Sequence, residues 1–205
     1  MSLLPFLAAA ILLAITPGPG MAYVVARTVA GGRAEGLASC FGTALGGFVH
    51  VLAAAFGLSL LVAESAVAFA LVKYLGAAYL AYLGIRLLLR RGETPAIEQV
   101  RSRGVRRALL EGVAVEAFNV KTALFFLAFL PQFVSAGSSL APQLVLLGSI
   151  CVGLNTLVDV VAVLAADRML ASDAARAARA RLLNRLSGGT MLALGLYLAL
   201  VRRPS

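Results

Sequence analysis

Three ionisable residues, Glu116, Lys121 and Asp159, stand in apolar stretches of this chain. Each costs roughly 3 kcal/mol to place inside a bilayer on the translocon scale, so an intramembrane charge is functional by default. The chemistry open to them is capture of an amine or a carboxylate and uptake of a proton. Glu116 and Asn119 are three apart and share a helix face, whereas Lys121 lies about 140° around an ideal helix from Glu116. One regular helix cannot aim all three at one point. Either the helix unwinds near Asn119, or Lys121 reaches a different partner or snorkels outward. Asn155 and Asp159, four apart, share a face of a later helix, and Asp159 there needs a partner or a proton, with Lys121 a candidate counter-ion. The plain alternatives are a structural ion pair for Glu116 and Lys121 and an interfacial position for Asp159.

Two further segments bear on the same chemistry. Thr16-Pro17-Gly18-Pro19-Gly20 must break or kink a helix, because two prolines remove amide donors and glycine admits non-helical dihedrals. Carbonyls freed in the hydrocarbon layer are tolerated only beside protein or a water-filled cavity, so the break implies a cavity or a polar neighbour; a structural kink is the alternative. Gly42, Gly46 and the only histidine, His50, recur at intervals of four. Small residues so spaced let helices approach closely, which turns His50 toward protein, as a hydrogen-bonded packing residue or a proton relay. Glu35, Glu64 and Glu111 fall at or near span ends and are expected to be solvated. Tyr74, Tyr79 and Tyr82 are belt or core residues. Cys40 and Cys151 lie in apolar stretches without metal or redox spacing and are read as small buried residues.

The elements that hold these groups follow from composition. Of 205 residues 61% are hydrophobic and 13% charged, with a mean hydropathy of +0.95, whereas a soluble domain is about half apolar and a quarter charged. The chain is therefore expected to be an all-α integral membrane protein, a single membrane domain over residues 1–205. Windows of roughly 19 residues place six transmembrane helices at about 3–26, 36–62, 65–89, 109–134, 140–166 and 187–201, the first broken at the TPGP motif. No room remains for a soluble enzyme domain. The first segment has no basic residue before Leu3 and runs on through Met21 to Ala26, so it reads as a span and not as a cleaved signal peptide.

The net charge of +9 is a topology signal here, and nucleic acid is not an expected partner. Arg27 and Arg33 follow the first span; Arg90, Arg91, Arg101, Arg103, Arg106 and Arg107 follow the third; Arg168, Arg176, Arg179, Arg181 and Arg185 follow the fifth. Basic loops stay in the cytoplasm, which places both termini outside. The stretch Asp173 to Leu186 reads either as a basic amphipathic helix along the inner surface or as a solvated connector. Leu83-Gly84-Ile85-Arg86-Leu87-Leu88-Leu89 resembles Leu194-Gly195-Leu196-Tyr197-Leu198-Ala199-Leu200, as a three-plus-three inverted repeat of a secondary transporter predicts. No GxxxxGK[ST] motif is present for ATP hydrolysis, and no GxSxG, HExxH or paired catalytic aspartates surround His50. An intramembrane enzyme and a structural scaffold are the rival readings; the scaffold would have no use for buried charges.

The segments Thr16 to Gly20, Gly42 to His50, Lys73-Tyr74-Leu75-Gly76-Ala77-Ala78-Tyr79-Leu80, Asn119 through Lys121 and Phe126 to Leu130-Pro131-Gln132-Phe133, and Gly188 to Leu200 together resemble the LysE family of amino-acid exporters, in its homoserine/threonine (RhtB) branch. The likeness runs from Leu3 to Leu200. It implies a transporter of the bacterial inner membrane that exports an amino acid or a small related metabolite by proton antiport. It implies a small-molecule substrate and protons as partners in a lipid bilayer, no cofactor and no metal, with a homodimer left open. The substrate and proton pathway is then expected to use Thr16, Pro17, Gly18, Pro19, Gly46, Gly47, His50, Glu116, Asn119, Lys121, Asn155 and Asp159. A substrate carboxylate would go to Lys121 or to free amides near Thr16 to Gly20, and its amine to Glu116 or Asp159. The chain departs from the family pattern in four places. The usual TPGPN ends in Gly20; Gly47 stands where some relatives carry an acid; Asn-Pro-Lys reads Asn119-Val120-Lys121; and Glu116 replaces a common asparagine. Without that proline the fourth helix is expected to be less broken, and Gly47 and Glu116 are expected to face one cavity.

Overall fold

A computed structural model describes residues 3–58, 66–89, 101–135 and 139–169, with 185, 188, 189, 191–193, 195, 196, 199 and 200 of the C-terminal stretch. All regular elements among the described residues are helical. Helix α1 (Leu3–Ile15) ends where Pro17 disfavours a helical conformation at Thr16, and the Thr16 hydroxyl turns back to donate to Leu12 O at 2.6 Å. Gly18 is extended (φ −135°, ψ −174°), and α2 (Pro19–Ala53) restarts with proline in its first turn, where the missing amide costs no intrahelical bond.

Helix α2 folds back on itself at Gly32, whose φ of 74° is open to glycine without strain. Val24 on one arm and Cys40 on the other pack together with Val163, and Arg27 comes within 3.7 Å of Glu35 across the fold. The loop expected between 26 and 36 thus contracts to one non-helical glycine, and Arg27 is buried instead of solvated. The expectation of a solvated Glu35 is also overturned, because only 3% of the residue is exposed. Its Oε1 accepts from the Ser102 hydroxyl and from the amides of Arg103 and Gly104, at 3.1 and 2.8 Å. The start of α4 (Val105–Ala117) has only Gly104 at its N-cap, with no side chain to offer. Glu35 therefore supplies the acceptor that this helix end requires. Glu111 is partly exposed and binds Arg103, Arg107 and the Tyr23 hydroxyl.

The glycine stripe of α2 brings α4 into backbone contact. A Cβ added to Gly42 would strike Leu109 O, and one on Gly46 would strike Val113 O and Ala117 N. The opposite face carries Phe41, Leu45, Phe48 and Leu52, all exposed, as a lipid-facing stripe requires. Helix α2 runs into a π-helical turn at Ala54–Leu58. Helix α3 (Ala66–Leu89) packs on α5 (Val120–Ala128) and on the C-terminal stretch. Gly84 lies against Gly188 O and Leu192, and Gly195 against Ala77 O and Ala81 N, so the two similar leucine-glycine segments belong to neighbouring elements. Tyr74 and Tyr82 are exposed on α3.

A short 3-10 turn (Leu130–Phe133) follows α5 and leads toward α6 (Leu140–Met169). The core is aromatic on the α5 side: Phe125 stacks on Phe129 at 4.8 Å, and Phe129 meets Phe133 at 5.1 Å, with Phe6 of α1 against Phe133 at 5.5 Å. Both cysteines are buried and free. Among the described residues, Pro19–Gly57 and Leu140–Ala165 are long and apolar enough to cross a bilayer, and Val105–Ala117 with Val120–Phe133, bent by 46°, makes a third if counted as one span. Glu64, Arg90, Arg91, most of Asp173 to Leu186 and part of the expected last span lie outside the described residues.

Candidate functional site

Helix α4 stops at Ala117 although no proline follows. The Phe118 amide still donates to Ala114 O at 3.1 Å, but that of Asn119 tightens onto Glu116 O at 2.9 Å. Asn119 then leaves the helix (φ −74°, ψ 101°), and its Oδ1 accepts from Lys121 N at 3.1 Å. That is N-capping, which starts a new helix in a new direction. The expectation that Val120 leaves the fourth helix less broken gives way to a 46° bend made by the asparagine. Both alternatives left open by the spacing occur: the helix unwinds, and Lys121 reaches a different partner.

The bend and the Thr16–Gly18 break meet at one cavity. Thr16, Gly18 and Gly20 line it from the first break, Thr43 and Gly47 from α2, Glu116, Asn119, Lys121 and Thr122 from the second break, and Asn155, Thr156 and Asp159 from α6. It offers ≈ 30 Å³ to the centres of water molecules, room for a small number of them. Gly47 and Glu116 do share this cavity. Pro17, Pro19, Gly46 and His50 are not among its lining residues: the prolines shape the break, Gly46 packs on α4, and His50 Nε2 donates to Glu116 O at 2.8 Å from a buried position.

Inside the cavity each charge has its own surroundings. Glu116 accepts from the Thr122 hydroxyl at 2.6 Å through Oε1 and from Asn119 Nδ2 at 2.9 Å through Oε2. Lys121 Nζ donates to Thr16 O at 2.9 Å and Leu13 O at 3.3 Å. Thr16 O is left without an intrahelical donor by the break, while Leu13 O already accepts from the Thr16 amide at 3.2 Å and takes the ammonium as a second donor; a helix C-terminus favours a cation. Neither the candidate ion pair of Lys121 with Asp159 nor the alternative structural pair with Glu116 forms within 4 Å, because the ammonium is drawn to backbone carbonyls instead. Asp159 faces the Thr43 hydroxyl at 3.4 Å, which also lies 3.0 Å from Cys40 O.

Thr43, Thr122 and Thr156 were not singled out from sequence. Threonine in a membrane helix commonly bonds its own turn, as Thr156 does with Val152 O at 2.8 Å, so residue type alone gave no signal. Only the proximity of Thr122 to Asn119 on the new helix identifies it.

Comparison with known proteins gives one consistent result. A family described as LysE type translocator matches residues 11–202. An uncharacterized membrane protein of Vibrio cholerae is 30% identical over 155 residues, 76% of each chain. The homoserine/homoserine lactone efflux protein of Salmonella typhi is 30% identical over 145 residues, covering 70% of this chain and 69% of its own length. An uncharacterized membrane protein of Pseudomonas aeruginosa is 35% identical over 129 residues, 60% of this chain and 59% of its own. No solved structure matches.

Proposed function

Because this chain belongs to the LysE type translocator family, we propose that it is a six-span secondary transporter of the bacterial cytoplasmic membrane that exports a small amino-acid-like metabolite by proton antiport. The observation that carries this reading is the convergence of two helix breaks on one cavity lined by two carboxylates and an ammonium. Discontinuous helices around a polar site are how secondary transporters bind their cargo within the bilayer. A scaffold has no use for charges that are costly to insert, and the family is one of translocators, not enzymes. The Salmonella relative, named for efflux of homoserine and its lactone, supports a small amino-acid-like cargo.

In this reading α1 with the first arm of α2 is one span, and the second arm, α3, α4 with α5, α6 and the C-terminal helical residues are the others, arranged as a three-plus-three inverted repeat. The exposed arginines Arg101, Arg103, Arg106 and Arg107 before and within the first turn of α4 face the cytoplasm, and both termini lie outside. The cargo amine enters from the cytoplasm and is received by Asp159. A proton arriving on Asp159 from outside displaces it.

Efflux from proteoliposomes loaded with homoserine and homoserine lactone tests the mechanism. Uphill export that depends on an opposing proton gradient and collapses with a protonophore is expected; gradient-independent leakage would indicate a channel, and no movement a scaffold. Labelling of a cysteine at position 101 by an impermeant reagent, in sealed right-side-out spheroplasts, would overturn the orientation.

A further inference from the structure

The cavity holds a carboxylate of its own, that of Glu116, among groups that would also attract the carboxylate of a cargo. Four features would attract such a group: the start of α2 at Gly20, the Asn119 amide, the Thr122 hydroxyl and the Lys121 ammonium. Helix starts and charge-assisted donors are anion-binding elements. Two of them are already bonded to Glu116, and its carboxylate stands beside a third. Its Oε2 lies 2.5 Å from where a Cβ on Gly20 would stand, so the carboxylate fills the space that any other residue at 20 would occupy. Its two oxygens take the hydrogen bonds of Asn119 Nδ2 and Thr122 Oγ1, at 2.9 and 2.6 Å. The fourth, Lys121, is turned to Thr16 O and Leu13 O, and Gly18 leaves room for that ammonium, whose Nζ is 3.0 Å from a Cβ position there.

The amine side is different. Asp159, in the same cavity, has one side-chain partner, Thr43, at 3.4 Å, with Asn155 and Thr156 lining the cavity one turn before it. Counting formal charges, the lining holds two carboxylates and one ammonium, an excess of one negative charge. A cargo of net charge +1 balances it, and a zwitterion does not. A zwitterion would also bring a second carboxylate beside Glu116, where like charges repel in a poorly solvated site.

We propose that Glu116 is the resident occupant of the cavity's carboxylate seat, so that the protein carries small monocationic amines whose carboxyl end is masked as a lactone, ester or amide in preference to zwitterionic amino acids. This inference rests on the export reading and names its substrate class. It makes Glu116 a specificity determinant, and Gly20 the residue that accommodates it.

The test is counterflow in proteoliposomes, with protein-free liposomes subtracted, on two matched pairs: homoserine lactone against homoserine, and threonine amide against threonine. The wild-type protein is expected to favour the masked member by roughly tenfold, the worth of a charged group denied its hydrogen bonds. Glu116→Gln keeps the shape, and its amide can donate to the Thr122 oxygen while its carbonyl accepts from Asn119, so the fold is retained. It is expected to narrow the preference or reverse it. Glu116→Ala, which empties the seat, is expected to raise zwitterion transport further, and the unfolding midpoint of each variant identifies any loss due to folding. Equal or better transport of the zwitterions by the wild-type protein would overturn the substrate class while leaving the export reading intact. Selectivity unchanged in a folded Glu116→Gln protein would overturn the role of Glu116. Failure to move all four compounds would overturn export itself.

Discussion

The two breaks that meet at the cavity are built by different means. At Thr16–Gly18 the covalent chain dictates the interruption: Pro17 and Pro19 lack amides and Gly18 is extended. At Phe118–Asn119 nothing in the backbone forbids a helix. There the interruption is held by the Asn119 cap on Lys121 N and by the Glu116 carboxylate, bound to Asn119 and Thr122. Each break also completes the other. Carbonyls at the first are served by Lys121 from the second, and a carboxylate from the second lies in the space left by Gly20 in the first. A proline-made break is thus rigid but leaves unsatisfied acceptors, while a side-chain-made break can supply the donors and depends on them in return.

The largest expected effect comes from cutting the link between the breaks. Lys121→Met strands the carbonyl of Thr16, takes the second donor from Leu13 O and removes the cavity's one ammonium, a loss of about 3 kcal/mol. The unfolding midpoint in detergent should fall and export should cease; an unchanged midpoint would mean that the two breaks are independent.

Gly20→Ala attacks the same link sterically. The new methyl meets Glu116 Oε2, and overpacking of this kind costs about 2 kcal/mol. Most of that should disappear in a Glu116→Ala background, and a double-mutant cycle on unfolding midpoints measures the coupling. Additive effects would show that the carboxylate is not held against Gly20.

Asn119→Ala removes the cap and one donor to Glu116. A loss of about 1 kcal/mol is expected, with weakened export, whereas Pro17→Ala should leave the first break in place because Pro19 and Gly18 remain. Equal sensitivity of the two sites would contradict the distinction between a backbone-made and a side-chain-made break.

The smallest effect sharpens the comparison. Val120 is the first residue of α5, and the extended Asn119 before it has the backbone that a following proline requires. Val120→Pro should therefore be tolerated, with a gain of about 0.5 kcal/mol from a stiffer unfolded chain. Strong destabilisation would mean that the Val120 amide has a partner in the fold.

The sequence alone determined what is local and covalent. The TPGP break follows from missing amides, a close helix neighbour along the Gly42/Gly46 stripe from four-residue spacing, the membrane character from apolar length, and the candidacy of Glu116, Lys121 and Asp159 from the cost of charge in lipid. Spacing also showed that the fourth helix had to unwind or Lys121 to look elsewhere. Only the tertiary structure decided between partners. The acceptors of Lys121 lie 105 and 108 residues away, the groups around Glu35 67 to 69 residues away, and the Thr43 hydroxyl 116 residues from Asp159. Whether an acid ends up solvated or buried among donors is set by which helix ends pack beside it, and residue type and spacing along one helix carry no information about that. For the same reason Glu35, placed near a span end, turned out to be a cap for a helix that begins far along the chain, and Gly20, a residue without a side chain, proved to be the space into which Glu116 fits.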